Sequence, residues 1–230
     1  MSTPAQPVSV EGLGVLLARS FKLLRAQIGT YVVISLVFLV PGFLLSLSLM
    51  AVTAAGENLT EPAALLGLGT AFVVLLLIIA LGSVLMLGAL IHAAKTQIGG
   101  GKVSPSEAYR AALSRWPSLA ATTVIIYIVV GLGLALLVLP GLVAFFFLCL
   151  APIALMVDDM GVRQALSRSC SLALKVPVEI VVISVIASVV ASVLGAIPVI
   201  GLLVNCVVMP WDVIAMTLAY GKAKKTAASA

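Results

Sequence analysis

Asp212 and His92 are the side chains of this 230-residue sequence best placed to do chemistry. Each lies within a long apolar run, where an ionisable group is costly enough to be a functional-site candidate. Asp212 stands eight residues before Tyr220, about 12 Å in from the end of its run at 1.5 Å per residue. Asn205 is seven residues earlier on the same helical face, and Met209 and Met216 continue that stripe. His92 precedes Lys95 by three residues, toward the basic end of another run. His92, Asn205 and Asp212 together would form a proton- or ion-responsive polar site between two helices. The plainer alternatives are an interhelical hydrogen-bond clamp, or an Asp capping a half-helix that Pro210 starts.

Other chemistries lack their residues. Gly99-Gly100-Gly101-Lys102 is no phosphate loop, because Thr96 and Val103 stand where Gly and Ser or Thr are needed. His92 is the only histidine, so scattered serines and cysteines have no evident base. No carboxylate pair has catalytic or metal-binding spacing apart from Asp158-Asp159, which suits a helix start. Cys149, Cys170 and Cys206 lie in or beside apolar runs without a CxxC and read as small buried hydrophobes. Glu179 follows Lys175 by four residues, which predicts a local ion pair. The expectation is a protein that is not an enzyme, with no catalytic residue, no cofactor and no metal.

The elements that position these residues follow from composition. At 63% hydrophobic and 9% charged, the chain departs from soluble proteins, which carry about 45–50% apolar and about 25% charged residues. Long apolar runs without strand-like alternation predict an all-α integral membrane protein. Six segments are long enough, or nearly so, to span: 31–52, 65–94, 119–139, 142–157, 178–197 and 202–220. The fourth is short and carries Pro152, which predicts a kink. All 13 Lys and Arg fall before the first segment, between the second and third, between the fourth and fifth, or after the sixth. The opposite loops, including the Pro140-Gly141 turn and the turn from Pro198 to Gly201, hold no base; their only charges are Glu57 and Glu61. This asymmetry predicts that both termini are cytoplasmic.

An internal pattern recurs three times. Arg19, Arg115 and Arg168 each follow a Leu by two residues and precede Leu23, Leu119 and Leu172 by four. Val32-Val33-Ile34-Ser35 and Val181-Val182-Ile183-Ser184 sit at the same later offset. The pattern predicts three tandem parallel hairpin repeats in a single membrane domain, at about 10–98, 104–158 and 159–221, followed by a disordered basic tail at 222–230. Each repeat begins with an amphipathic cytoplasmic helix lying in the membrane interface, the second opened by a Ser104-Pro105-Ser106-Glu107 capping box. Two spans per unit make the copies parallel, unlike the inverted repeats of alternating-access carriers. Small residues at Gly82, Gly88, Gly131 and Gly133 suit close helix packing. The basic residues Arg19, Lys22, Arg25, Arg115, Arg168, Lys222, Lys224 and Lys225 are candidate contacts for anionic lipid. Aromatic interleaving is missing, so no nucleic-acid partner is expected.

From 88 to 174 the chain resembles the YciC-like and glycerophosphoryl diester phosphodiesterase membrane-domain superfamily of prokaryotic membrane proteins. The residues that carry the likeness are Gly88-Ala89-Leu90-Ile91, Gly100-Gly101-Lys102 with Ser104 and Glu107-Ala108, Pro140-Gly141, Leu150-Ala151-Pro152, and Gly161 followed by Ala165-Leu166-Ser167-Arg168-Ser169-Cys170-Ser171-Leu172. The resemblance implies a multi-span protein of the prokaryotic cytoplasmic (inner) membrane and transfers no activity or site residue. The leading expectation is a non-catalytic accessory, scaffold or lipid-organising component, with membrane lipids and a larger membrane complex or a homo-oligomer as partners. The alternative is a small-solute or lipid permease using the polar face near Asn205 and Asp212.

Overall fold

A computed structural model describes residues 10–36, 62–195 and 198–228, and among them all regular structure is helical. The order is α1 (Val10–Ala26), α2 (28–36), α3 (Pro62–Ile98), α4 (Pro105–Ser114), α5 (Trp116–Leu136), α6 (Val138–Leu148), α7 (Ala151–Val157), α8 (Val162–Ala173), α9 (Pro177–Gly195) and α10 (Pro198–Ala228). Three stretches are long and apolar enough to cross a membrane: Phe72–Ile98, Trp116–Leu136 and Val138–Val157. The bent pair α8–α9 makes a fourth if it is taken as one span. Only 17% of the α5 stretch is buried although its mean hydropathy is 2.4, so its outward face suits hydrocarbon rather than water. Most of the predicted first segment, 37–52, and the loop holding Glu57 lie outside the described residues.

The breaks have local causes. Ser104 caps α4 as the sequence predicts: the Glu107 amide donates to Ser104 Oγ at 3.3 Å, and the Ser104 amide to Glu107 Oε2 at 3.0 Å. The expected Pro140-Gly141 turn is displaced. The chain reverses at Leu137, in extended backbone, while Pro140 and Gly141 lie within the first turn of α6, where Pro is tolerated. Gly141 is needed there because a Cβ would come within 2.7 Å of the Leu134 amide nitrogen. Gly133 faces it equally closely, and Gly88 abuts Leu119 and Ala112, whereas Gly131 meets nothing and serves no close packing. Pro152 acts as predicted: α6 stops at Leu148 and α7 starts with Pro in its first turn. Pro198 opens α10 instead of occupying a turn, with Gly201 inside the helix.

The buried core gathers at the basic end of the bundle, among Ala89–Ala94, Leu150–Met156, Ala165–Ile183 and Val213–Ala223. Each of the three short amphipathic elements packs part of its apolar face onto the protein, while Val15 and Phe21 of α1 and Leu113 of α4 stay exposed. Ala108 and Ala112 of α4 pack on α3, Ala165, Ser169 and Leu172 of α8 on α6 and α7, and Leu16, Ser20 and Leu24 of α1 are buried in the same core, with α10 as neighbour. Between α8 and α9 the axis bends by 100°, so α8 is no straight extension of the helix that follows it.

The predicted tail is not a loose end. Helix α10 continues to Ala228, and Lys222 and Lys224 are both paired. Nor do the three repeated arginines have equivalent roles. Arg19 is exposed in the middle of α1, Arg115 follows the last turn of α4, and Arg168 is half-buried in α8.

Candidate functional site

Asp212 opens onto a cavity of about 310 Å³ walled by α3, α5, α6, α7, α9 and α10. Most of its lining is apolar, from Leu87, Ile91, Ile126, Phe145, Ile153 and Met216. Three of its lining residues, on three helices, each carry a buried oxygen: Thr123 Oγ1 on α5, Ser184 Oγ on α9 and Asp212 Oδ1 on α10. Each is buried without a hydrogen-bond partner. Buried polar atoms are nearly always satisfied, and leaving one unmade costs about 1–3 kcal/mol. Three such atoms on one cavity make a place for a ligand's hydrogen-bonding groups. Cys149 and Ser188 add polar atoms to the rim.

The cavity exists because helices α5 and α9 both line it, yet α9 packs chiefly on α10 and α5 on α6 and α3. Tyr127, 69% exposed on α5, stands in the cavity wall, beside Ser184 and Ser188 of α9 in the lining. Pro210 lies inside α10, which runs through it unbroken; Asp212 therefore caps no half-helix. Nor does Asp212 Oδ1 clamp another helix among the described residues, where it has no hydrogen-bond partner.

The other predicted members do not join it. Ile91, not His92, faces the cavity, and the charges nearest His92 are Lys95, Glu107 and Asp159 at the basic end. The side chain of Asn205 lies outside the described residues; Met216 reaches the cavity, while Met209 is exposed.

At the basic end, the loop after α7 gathers charge instead. Asp158 accepts from Lys224 Nζ and Tyr220 Oη, both at 2.7 Å. Burial alone would raise its carboxyl, but the hydrogen bonds from Lys224 and Tyr220, with Arg168 nearby, hold it below the usual carboxylate range. Asp159 pairs with Arg115 at 3.1 Å and Lys95 at 3.7 Å, and Lys95 also donates to the Met156 carbonyl at 3.3 Å. Its φ of 54° is a left-handed conformation that Asp tolerates better than most residues. Glu179, 1% exposed, is paired with Lys222 and not with Lys175, which lies exposed in the bend before α9. Four candidate lipid contacts, Arg115, Arg168, Lys222 and Lys224, thus face acids or other groups of the protein itself, while Arg19, Lys22, Arg25 and Lys225 remain exposed.

Thr123 and Ser184 were not among the residues singled out from sequence. Single hydroxyls in apolar runs carry no spacing that links one helix to another. The only available signal was Ser184 recurring at the offset of Ser35, itself buried without a partner.

No curated protein and no solved structure matches the chain. A family profile does, over residues 56–220, which include every residue that lines the cavity. By that match, the chain belongs to the uncharacterised protein family UPF0259.

Proposed function

We propose that this protein is a small-solute or lipid permease that takes its cargo into the Asp212 cavity from the bilayer side. The setting of this reading is a prokaryotic inner membrane and a YciC-like relative with six spans in three tandem parallel hairpins, both termini cytoplasmic. It draws support from the one-sided distribution of bases and from the motifs quoted above. Parallel units offer no inverted pair for a rocking mechanism, which favours lateral exchange between α5 and α9.

The observation that carries the reading is the convergence of Thr123, Ser184 and Asp212 on one cavity without partners. An isolated carboxylate in an apolar wall is costly unless a cation or a proton meets it. A cargo with a short apolar body and an ammonium or hydroxyl head supplies both the donor and, when charged, the counter-charge. The volume, about 310 Å³, is at the small end of ligand pockets and suits a compact amphiphile.

Hexylammonium tests this directly. The purified full chain is expected to be stabilised by hexylammonium, by about 2.7 kcal/mol at a hundredfold excess over Kd, and not by hexanoate. Proteoliposomes are expected to take it up, and Asp212→Asn to lower both effects at least tenfold. Unchanged binding and uptake in Asp212→Asn would sink the reading.

The second reading is an accessory, scaffold or lipid-organising protein, and what favours it is the exposed basic surface of α1 with Arg19, Lys22 and Arg25. It expects stoichiometric co-purification with a membrane partner and full tolerance of Asp212→Asn.

A further inference from the structure

Helix α1 lies along α10, and two grooves follow one another down the seam between them. The upper groove, about 370 Å³, brings together Arg19 of α1 with Lys222 and Lys225 of α10. Glu179 neutralises Lys222, while Arg19 and Lys225 are exposed and form no salt bridge among the described residues. The groove therefore keeps an excess of two positive charges. Its remaining wall is mostly apolar, with Val15, Ile98 and Leu218 beside Thr217 and Thr226. Ile98 is the last residue of an apolar spanning helix, which puts the cations at headgroup level.

The lower groove, about 240 Å³, is apolar throughout, between Phe21 and Leu24 of α1, Ile186 and Val190 of α9, and Val207 and Trp211 of α10. Lys222 and Trp211 are eleven residues apart, about 16 Å along a helix. One leaflet of a bilayer has a hydrocarbon depth of about 15 Å.

We infer that the α1–α10 seam is a binding site for one anionic phospholipid, its phosphate held by Arg19, Lys222 and Lys225 and an acyl chain laid in the groove beside Trp211. Basic side chains alone would attract any phosphate. The apolar groove continuing from them, at leaflet depth, selects a phosphate that carries a chain. The site is separate from the Asp212 cavity and stands whether or not that cavity carries cargo.

Native mass spectrometry of the full chain in mild detergent is the test, with phosphatidylglycerol, phosphatidylcholine and inorganic phosphate as probes. One phosphatidylglycerol is expected to be retained about thirtyfold more strongly than phosphatidylcholine, the effect of two well-placed cations. The double variant Arg19→Gln/Lys225→Gln is expected to remove that preference, and Val190→Trp, which fills the lower groove, to reduce retention at least tenfold. Arg19→Lys/Lys225→Arg, Asp212→Asn and Lys22→Gln, whose lysine lies off the groove, are expected to retain the lipid. Equal retention of both lipids, or retention unaffected by the double variant, overturns the proposal. So does displacement by millimolar inorganic phosphate together with normal binding in Val190→Trp, which would mark a site for free phosphate.

Discussion

Two acids on either side of the same bundle are treated in opposite ways. Asp158, at the basic end, accepts two hydrogen bonds and draws Lys224, Tyr220 and Arg168 around it. Asp212, about 12 Å inward by helix rise, lines a cavity and has a buried oxygen with no hydrogen-bond partner among the described residues. A paired acid contributes to holding helices together. An unpaired one detracts from stability. The contrast separates the basic end, which fastens α3, α5, α8 and α10, from the cavity, where Asp212 Oδ1 fastens nothing among the described residues.

The largest effect on stability belongs at the most buried pair. Lys222→Ala leaves Glu179, 1% exposed, without its cation and is expected to cost about 3 kcal/mol in a detergent unfolding titration. Adding Glu179→Leu to it is expected to restore most of the loss, since apolar replacement of a buried pair is often neutral. Failure of that rescue would show that the pair does more than satisfy charge.

Next comes Asp158→Asn, expected to cost about 1–2 kcal/mol because Lys224 and Tyr220 lose a charged acceptor. Its carboxyl titrates below the ordinary value in the folded protein, so its contribution is present above about pH 4 and is lost as pH falls through the depressed value. Unfolding measured from pH 6 to pH 3 should therefore show a steeper decline for wild type than for Asp158→Asn.

Arg115→Gln is expected to cost under about 1 kcal/mol, because its partner Asp159 is 61% exposed and solvent screens the pair. Smallest is Asp212→Leu, expected to unfold within about 0.5 kcal/mol of wild type or above it, since its buried oxygen Oδ1 has no hydrogen-bond partner among the described residues. A large loss there would erase the contrast between the two acids.

How much of this was legible in the sequence varies with the range of the interaction. The Ser104–Glu107 cap, the break before Pro152 and the reach of α3 and α5 depend on residues within a few positions of one another, and they form as the spacing predicts. Asp212 stood out because a lone acid in an apolar run is conspicuous. Its companions Thr123 and Ser184 were not visible, because the cavity is defined by helices 28 to 89 residues apart in sequence. Glu179 shows the same limit from the other side: Lys175 is near in sequence, but the 100° bend between α8 and α9 takes it away and Lys222 replaces it.

The reversal at Leu137 bears on how the chain is made. From Trp116 to Val157 there is no Asp, Glu, Lys, Arg or His, and the tip itself, Leu136 to Leu139, is 64–78% exposed and wholly aliphatic. At the tip the Leu137 amide is already bonded to the Gly133 carbonyl at 3.0 Å. No charged or hydrated loop separates α5 from α6, so the two helices can enter hydrocarbon as one apolar package.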